Sequence, residues 1–230
     1  MKYLSEEQNK CFIGTGECNK AGENLATFLD KYDPNKYQNP CNTVDTLVFT
    51  KKDSHIKKIL LIKRGNHPSI GYWACPGGFV EFKENLYDAA LRELQEETGL
   101  HDIEAEQLKS YGDYDRDPRT RIITTAFVAL IDEGSQKAQA GDDAREAGWF
   151  DISDVLINKT EYSEHVEEEW LCRLTDEDNN VNICSRVKVS YRKGILKNRT
   201  YKVLDGGELA ADHAAIILEG YHHVKEALRA

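Results

Sequence analysis

The sequence predicts a mixed α/β or α+β fold, and three observations carry that expectation. Apolar segments rich in β-branched residues recur between polar turns, a helical period over residues 86–98 is closed by a glycine, and a second helical period runs from Leu209 onward. Pattern alone leaves the two classes open. The 230 residues suit one domain with embellishments, and 40% hydrophobic content with 9% aromatic suffices for a sizeable core, which excludes a wholly disordered chain.

Residues 1–42 are polar, broken by glycine and proline, and read as an N-terminal extension holding a helix over about 21–31 that Asp33-Pro34 stops. From Thr43 the texture changes. TVDTLVFT and IKKILLIKR, separated by KKDSH, read as a hairpin, and GNHPSIGYWACPGGF as short extended pieces between turns. A helix follows over 86–98, with Asn85 and Asp88 as a weak capping box and Gly99 where a left-handed residue closes helices. Strands fit about 106–111, 121–131 and 146–151, and ISDVLI (152–157) is a short helix candidate. The core is thus expected over 43–157. Over 158–230 the chain adds a strand meander (EEWLCRL, VNICSRVKVSY, RTYKVL) and a closing helix with Ala214, Ile217, Leu218, Tyr221 and Val224 on one side, packed on that core.

The longest apolar runs, 59–62 and 126–131, suit buried strands and are too short for a bilayer. MKYLSEEQNK lacks an apolar segment for secretion, so a cytoplasmic location is expected. Thirty basic against forty acidic residues give a net charge of −10, which disfavours a nucleic-acid or anionic-membrane surface. Six cysteines are scattered without a CxxC pair and read as reduced thiols. Cys172 and Cys184 face each other across a hairpin in one reading, but a buried free thiol is favoured.

The chemistry concentrates in GFVEFKENLYDAALRELQEETGL, residues 78–100. At about 100° per residue, with Glu93 at zero, Glu96 falls near −60° and Glu97 near +40°, so three carboxylates share one face. That face overlaps the start of the apolar stripe Leu86–Ala90–Leu94, where a plain amphipathic helix keeps the two apart. Like charges three and four residues apart repel, and acids in the last turns meet the negative end of the helix dipole. A bound divalent cation removes both penalties, and carboxylate ligands suit Mg²⁺ or Mn²⁺. The alternative is a solvated, charged helix end; the overlap with the stripe and the glycine-rich lead-in favour the metal.

This run resembles the Nudix hydrolase box: a glycine, five residues, a glutamate, seven residues, then R-E-aliphatic-x-E-E-x-G-aliphatic. Gly78, Glu84, Arg92, Glu93, Leu94, Glu96, Glu97, Gly99 and Leu100 fill every specified position. The resemblance implies a Nudix-type α/β/α sandwich around a mixed sheet and Mg²⁺-dependent hydrolysis of a nucleoside diphosphate derivative. It makes Glu93, Glu96 and Glu97 metal-binding and catalytic glutamates, gives Glu84 a metal or supporting role, and makes Arg92 the residue that orients the acids. Gly78 precedes the bend that brings backbone to the metal, and Gly77 beside it is a substrate-binding candidate. YWACPGGF, GDYDRDPRTR, GDDAREAGWF and ELAADHAAIIL are similar to the ADP-ribose pyrophosphatases and related regulators of NAD metabolism, implying ADP-ribose split to AMP and ribose 5-phosphate, and a homodimer.

Outside the box, Arg116, Arg119 and Arg121 either hold phosphate or ribose oxygens by forked hydrogen bonds or pair with Asp113, Asp115 and Asp117 in a surface turn. Asp142, Asp143 and Glu146 offer an additional carboxylate on a loop, Glu146 being preferred; the alternative is a solvated loop end. Tyr72 or Trp73 either stacks on a base or ribose or packs in the core. His67 and His213 read as structural, and His222 and His223 as an exposed helix face. Three functions follow: a hydrolase, an ADP-ribose-type sensor like relatives that carry a winged helix, or a nucleotide-binding interaction module. The expected lack of room for a DNA-binding domain after LAADHAAIILEGYHHVKEAL, the net charge and the complete acidic set favour the hydrolase.

Overall fold

A computed structural model describes residues 3–141, 144–195 and 198–229, which fall into two compact units, Met1–Asn39 and Pro40–Ala230. In the first, helix α1 (Glu6–Asn9) is capped reciprocally: Ser5 Oγ accepts the Gln8 amide and Gln8 Oε1 accepts the Ser5 amide at 2.9 Å. Helix α2 (Leu25–Lys31) is shorter than the expected 21–31. Asn19 Oδ1 accepts the amides of Ala21 and Glu23, holding that stretch as a turn, and Asn24 caps the helix through the Thr27 amide.

The second unit begins with the expected hairpin. Strands β1 (Cys41–Lys52) and β2 (His55–Arg64) are joined by Asp53 and Ser54, both at positive φ, the two-residue turn whose twist matches the strands. Short strands β3 (Trp73–Ala74) and β4 (Gly77–Phe79) add to β2 and β1, and helix α3 spans Leu86–Thr98 with Gly99 at φ 71° closing it. Then follow β5 (Ala105–Tyr111), β6 (Ile122–Asp132), β7 (Ala144–Glu161), β8 (His165–Asp176), β9 (Val181–Arg192), β10 (Thr200–Asp205) and helix α4 (His213–Ala227). The sheet order is β10-β9-β8-β7-β2-β1-β6-β5. The β1–β6 pair is parallel and the others antiparallel, so the sheet is mixed, as expected.

Helices cover the central strands on both faces, which explains their unbroken apolar runs. On one face Leu47, Phe49, Ile59 and Leu61 pack with Ile216, Ile217, Tyr221 and Val224 of α4; on the other Val48 and Leu60 pack with Leu94 of α3 and with Leu100. Each such side chain contributes about 1.5–3 kcal/mol on burial. This is a sandwich, with α4 and α3 as its outer layers. Among the described residues no helix is long and apolar enough to cross a membrane.

Three expectations are corrected. Residues 152–157 are not helical: β7 runs unbroken through them, pairing Asp154 with Cys172 and Leu156 with Trp170. Continuous antiparallel pairing with β8, whose Leu174, Leu171 and Trp170 sit opposite Ile152, Val155 and Leu156, outweighs the local helical spacing. The closing helix starts at His213, because Leu209 bridges Trp73 and Ala211 takes a positive φ. His222 is not on an exposed face: its ring sits between Asp154 at 2.9 Å and Tyr201 at 3.2 Å, while His223 is exposed. Cys172 and Cys184 are both free thiols. Cys172 is opposite Ser185 and Cys184 opposite Arg173, so the two point to opposite faces.

Candidate functional site

The N-terminal end of β1, the β4 extension and α3 meet at an open cleft of about 370 Å³. Strand β4 pairs Gly77 with Asp45 and Gly78 with Val44, which brings two glycines under the acidic face of α3. Neither position has room for a side chain. A Cβ on Gly77 would run into the Val44 carbonyl oxygen, and one on Gly78 would lie 2.5 Å from the Glu93 carboxyl carbon.

Arg92 gathers the acids. Its Nε and Nη2 donate to the two Glu84 oxygens at 2.8 and 2.9 Å, Nη1 to Glu93 at 2.8 Å and Glu96 at 3.0 Å, and Nη2 also to the Phe79 carbonyl at 3.1 Å. Glu84, so bound, is held well down, to about 2. Glu97 lies deeper and accepts the Gly77 amide at 2.8 Å. Burial pushes its carboxyl up to about 8, against the Gly77 bond and helped by Glu93 and Asp45; burial raises Glu93 as well, against Arg92. The apolar stripe is shifted from expectation, since Ala89, Ala90 and Leu94 are buried while Leu86 is exposed.

Glu93, Glu97, Gly77, Gly78, Arg116 and Arg119 line the cleft. Arg92, Glu84 and Glu96 stand behind it, Glu96 with 59% of its side chain exposed. Arg116 is nearly buried and spends its fork on Asp212, with two bonds of 2.9 Å; Asp212 thereby gives up capping α4. Arg119 pairs with Asp117 and lies against the Phe79 ring. Three candidates lie outside the cleft lining: Arg121, exposed; Tyr72, exposed beside the buried Trp73; and Glu146, paired with Lys63 at 3.1 Å. Asp142 and Asp143 are outside the described residues.

Four cleft residues escaped sequence reasoning. Arg64 ends β2, its Nε donating to the Pro68 carbonyl at 2.8 Å, and Asp45 interrupts an apolar strand; a charge inside or ending such a run was the available signal. His67 and His213, read as structural, also line the cleft.

Among the described residues no three acidic, histidine or cysteine side chains converge as a finished ligand set. The donors nonetheless fit a hard divalent cation. They are carboxylate oxygens, two of them held protonation-prone by burial, and the absent side chain at Gly78 leaves the Glu93 carboxylate its space.

The NUDIX domain model matches residues 40–174. The ADP-ribose pyrophosphatase of Methanocaldococcus jannaschii is 40% identical over 153 residues, covering 64% of this chain and 86% of that one. The crystal structure of a MutT/nudix family protein from Enterococcus faecalis superposes with a TM-score of 0.63 at 30% identity, over 97% of this chain and 75% of that one. The NUDIX domain of Shewanella oneidensis NrtR, solved with ADP ribose, superposes with a TM-score of 0.50 at 34% identity, over 55% and 82%.

Proposed function

The chain belongs to the NUDIX family, and from that premise we propose that it hydrolyses ADP-ribose with water to AMP and ribose 5-phosphate. The observation that carries the reading is a single cleft in which Glu93 and Glu97 face arginine side chains. Glu93, Glu96 and Glu97, with the Gly78 carbonyl and Glu84 in support, would hold Mg²⁺ or Mn²⁺. Such an ion supplies neutralisation of the diphosphate charge and acidifies water.

The chain's own groups do the rest. Arg64, steered by Pro68, presents guanidinium nitrogens to phosphate oxygens, and Arg119, whose Nε and Nη2 are held by Asp117, adds only its Nη1. Arg116, spent on Asp212, contributes field without a free fork. Glu97 lines the cleft and keeps Oε2 on the Gly77 amide, which leaves Oε1 as the oxygen to take the proton of the attacking water as the phosphorus–oxygen bridge breaks. Glu146 has no part in this scheme. The reading takes residues 43–157 as the catalytic core, with β1 and β7 running past its two ends, and it assigns the protein to the cytoplasm as a homodimer, for which the solution mass should be twice 26.2 kDa.

The test is a panel of ADP-ribose, NADH, diadenosine polyphosphates, nucleotide sugars and oxidised nucleoside triphosphates, assayed with Mg²⁺ for AMP or phosphate. ADP-ribose should turn over fastest, and Glu97→Gln should lower that rate about a hundredfold or more while the fold survives, since the amide oxygen still accepts from Gly77. Turnover of another panel member alone overturns the substrate, and unchanged turnover in the variant overturns the role of Glu97.

A further inference from the structure

One polar pair in the cleft is not used by this hydrolysis. His213, the first residue of α4, and Asp45 of β1 are both buried, and His213 Nε2 stands 3.9 Å from Asp45 Oδ1, beyond direct hydrogen-bond reach. The tautomer follows from the backbone. His213 Nδ1 accepts the Cys75 amide at 3.1 Å, which requires a lone pair there and leaves the ring proton on Nε2. Asp45 Oδ2 accepts the Thr124 hydroxyl at 2.6 Å, leaving Oδ1 toward the ring. The pair is rigidly mounted, because the segment before His213 is laced to Trp73 by two backbone hydrogen bonds and to Arg116 through Asp212.

The gap therefore offers one donor and one acceptor side by side. An oxygen about 2.8 Å from each fits between them at roughly a right angle. A hydroxyl satisfies both partners, accepting from Nε2–H and donating to Oδ1. A phosphate oxygen fails, having no proton to give and a charge that the carboxylate repels. Asp45 also pairs in register with Gly77, whose amide holds Glu97, so the gap adjoins the acidic face.

We propose that His213 and Asp45 form a hydroxyl-binding subsite that reads a ribose hydroxyl next to the diphosphate. The proposal rests on the ADP-ribose reading above. Both riboses of that substrate carry such hydroxyls, and the experiment separates them. kcat/KM is measured for ADP-ribose and for two analogues, deoxygenated on the adenosine ribose or on the terminal ribose, with wild type and with His213→Asn. Asparagine keeps an oxygen near the Nδ1 position for the Cys75 amide and removes the Nε2 donor, so a merely structural histidine is rescued by it.

Wild type should lose about tenfold or more on one analogue, and His213→Asn should lose a similar factor on ADP-ribose while treating that analogue nearly as wild type does. The ribose at which the penalties fail to multiply is the one read. Penalties that multiply at both riboses, or a wild type indifferent to both deoxygenations, overturn the subsite, with a bridging water as the occupant instead. Should His213→Asn melt early, Asp45→Asn runs the same cycle. Absence of ADP-ribose turnover by wild type overturns the substrate reading and the subsite together; turnover with multiplying penalties overturns the subsite alone.

Discussion

Gly78→Ala puts the site's packing to a direct test. The added methyl would lie 2.5 Å from Glu93 Cδ and 2.5 and 2.6 Å from its oxygens, where relaxed contacts need about 3.5 Å. The carboxylate must therefore retreat by about 1 Å. It is the end of a flexible side chain, so the fold can yield, but the retreat stretches its 2.8 Å bond to Arg92 past useful length. Losing that charged bond costs about 1–2 kcal/mol, or roughly 2–8 °C in Tm for a chain of this size. Misplacing a reacting group by about 1 Å costs about a hundredfold in rate. The assay is kcat/KM on ADP-ribose with Mg²⁺, beside a thermal melt. Gly77→Ala supplies the contrast: its methyl meets the Val44 carbonyl and Asp45 Cα, backbone atoms that cannot swing away, so folding itself should fail or lose about 3 kcal/mol or more. A Gly78→Ala protein within about threefold of wild-type activity would refute the claim that Glu93 needs the glycine's empty space.

Two further outcomes concern protons. Burial, with Glu93 and Asp45 adding and the Gly77 amide opposing, raises Glu97 from 4.5 to about 8, so its contribution to stability without a divalent cation is fully present below pH 4.5 and is lost as pH rises through about 8. Melts across about pH 5 to 9 should show that loss, and Glu97→Gln should flatten it; a wild-type Tm that climbs throughout contradicts the burial of this carboxyl. Asp154 runs the other way. Burial alone would raise it, but hydrogen bonds from His222 and from Lys225 at 2.6 Å hold it down to about 2, so its contribution is present above pH 3.8 and fades as pH falls through 2. Asp154→Asn should cost about 2 kcal/mol in urea unfolding at neutral pH, and a cost near zero would mean that the buried cluster carries no stability.

What the sequence made legible was local. The bounds of α3 and its left-handed closing glycine follow from spacing within one helix, and the β1–β2 hairpin from two apolar runs around a polar turn. Most of what escaped lies between residues far apart in the chain. Its spacing suits Arg116 either to phosphate or to the neighbouring aspartates, yet its partner, Asp212, is 96 positions away and arrives with α4. His213 meets Asp45 only because α4 is laid across β1, and no spacing rule links them. The 152–157 stretch misled for the same reason, since its strand character comes from β8, a partner that begins only at His165.

The 18-residue strand β7 has a consequence for how this protein can change over generations. It pairs with β2 along its first half and with β8 along its second, and strand side chains alternate between faces. Deleting one codon between those halves would turn every later residue of β7 inside out relative to β8. The bulge between Leu156 and Asn158, within the second half, already absorbs one supernumerary residue. Insertions in descendants should therefore collect at the Asp53-Ser54 turn and the 177–180 hairpin tip, and sequences that vary in length within 146–157 should be culled.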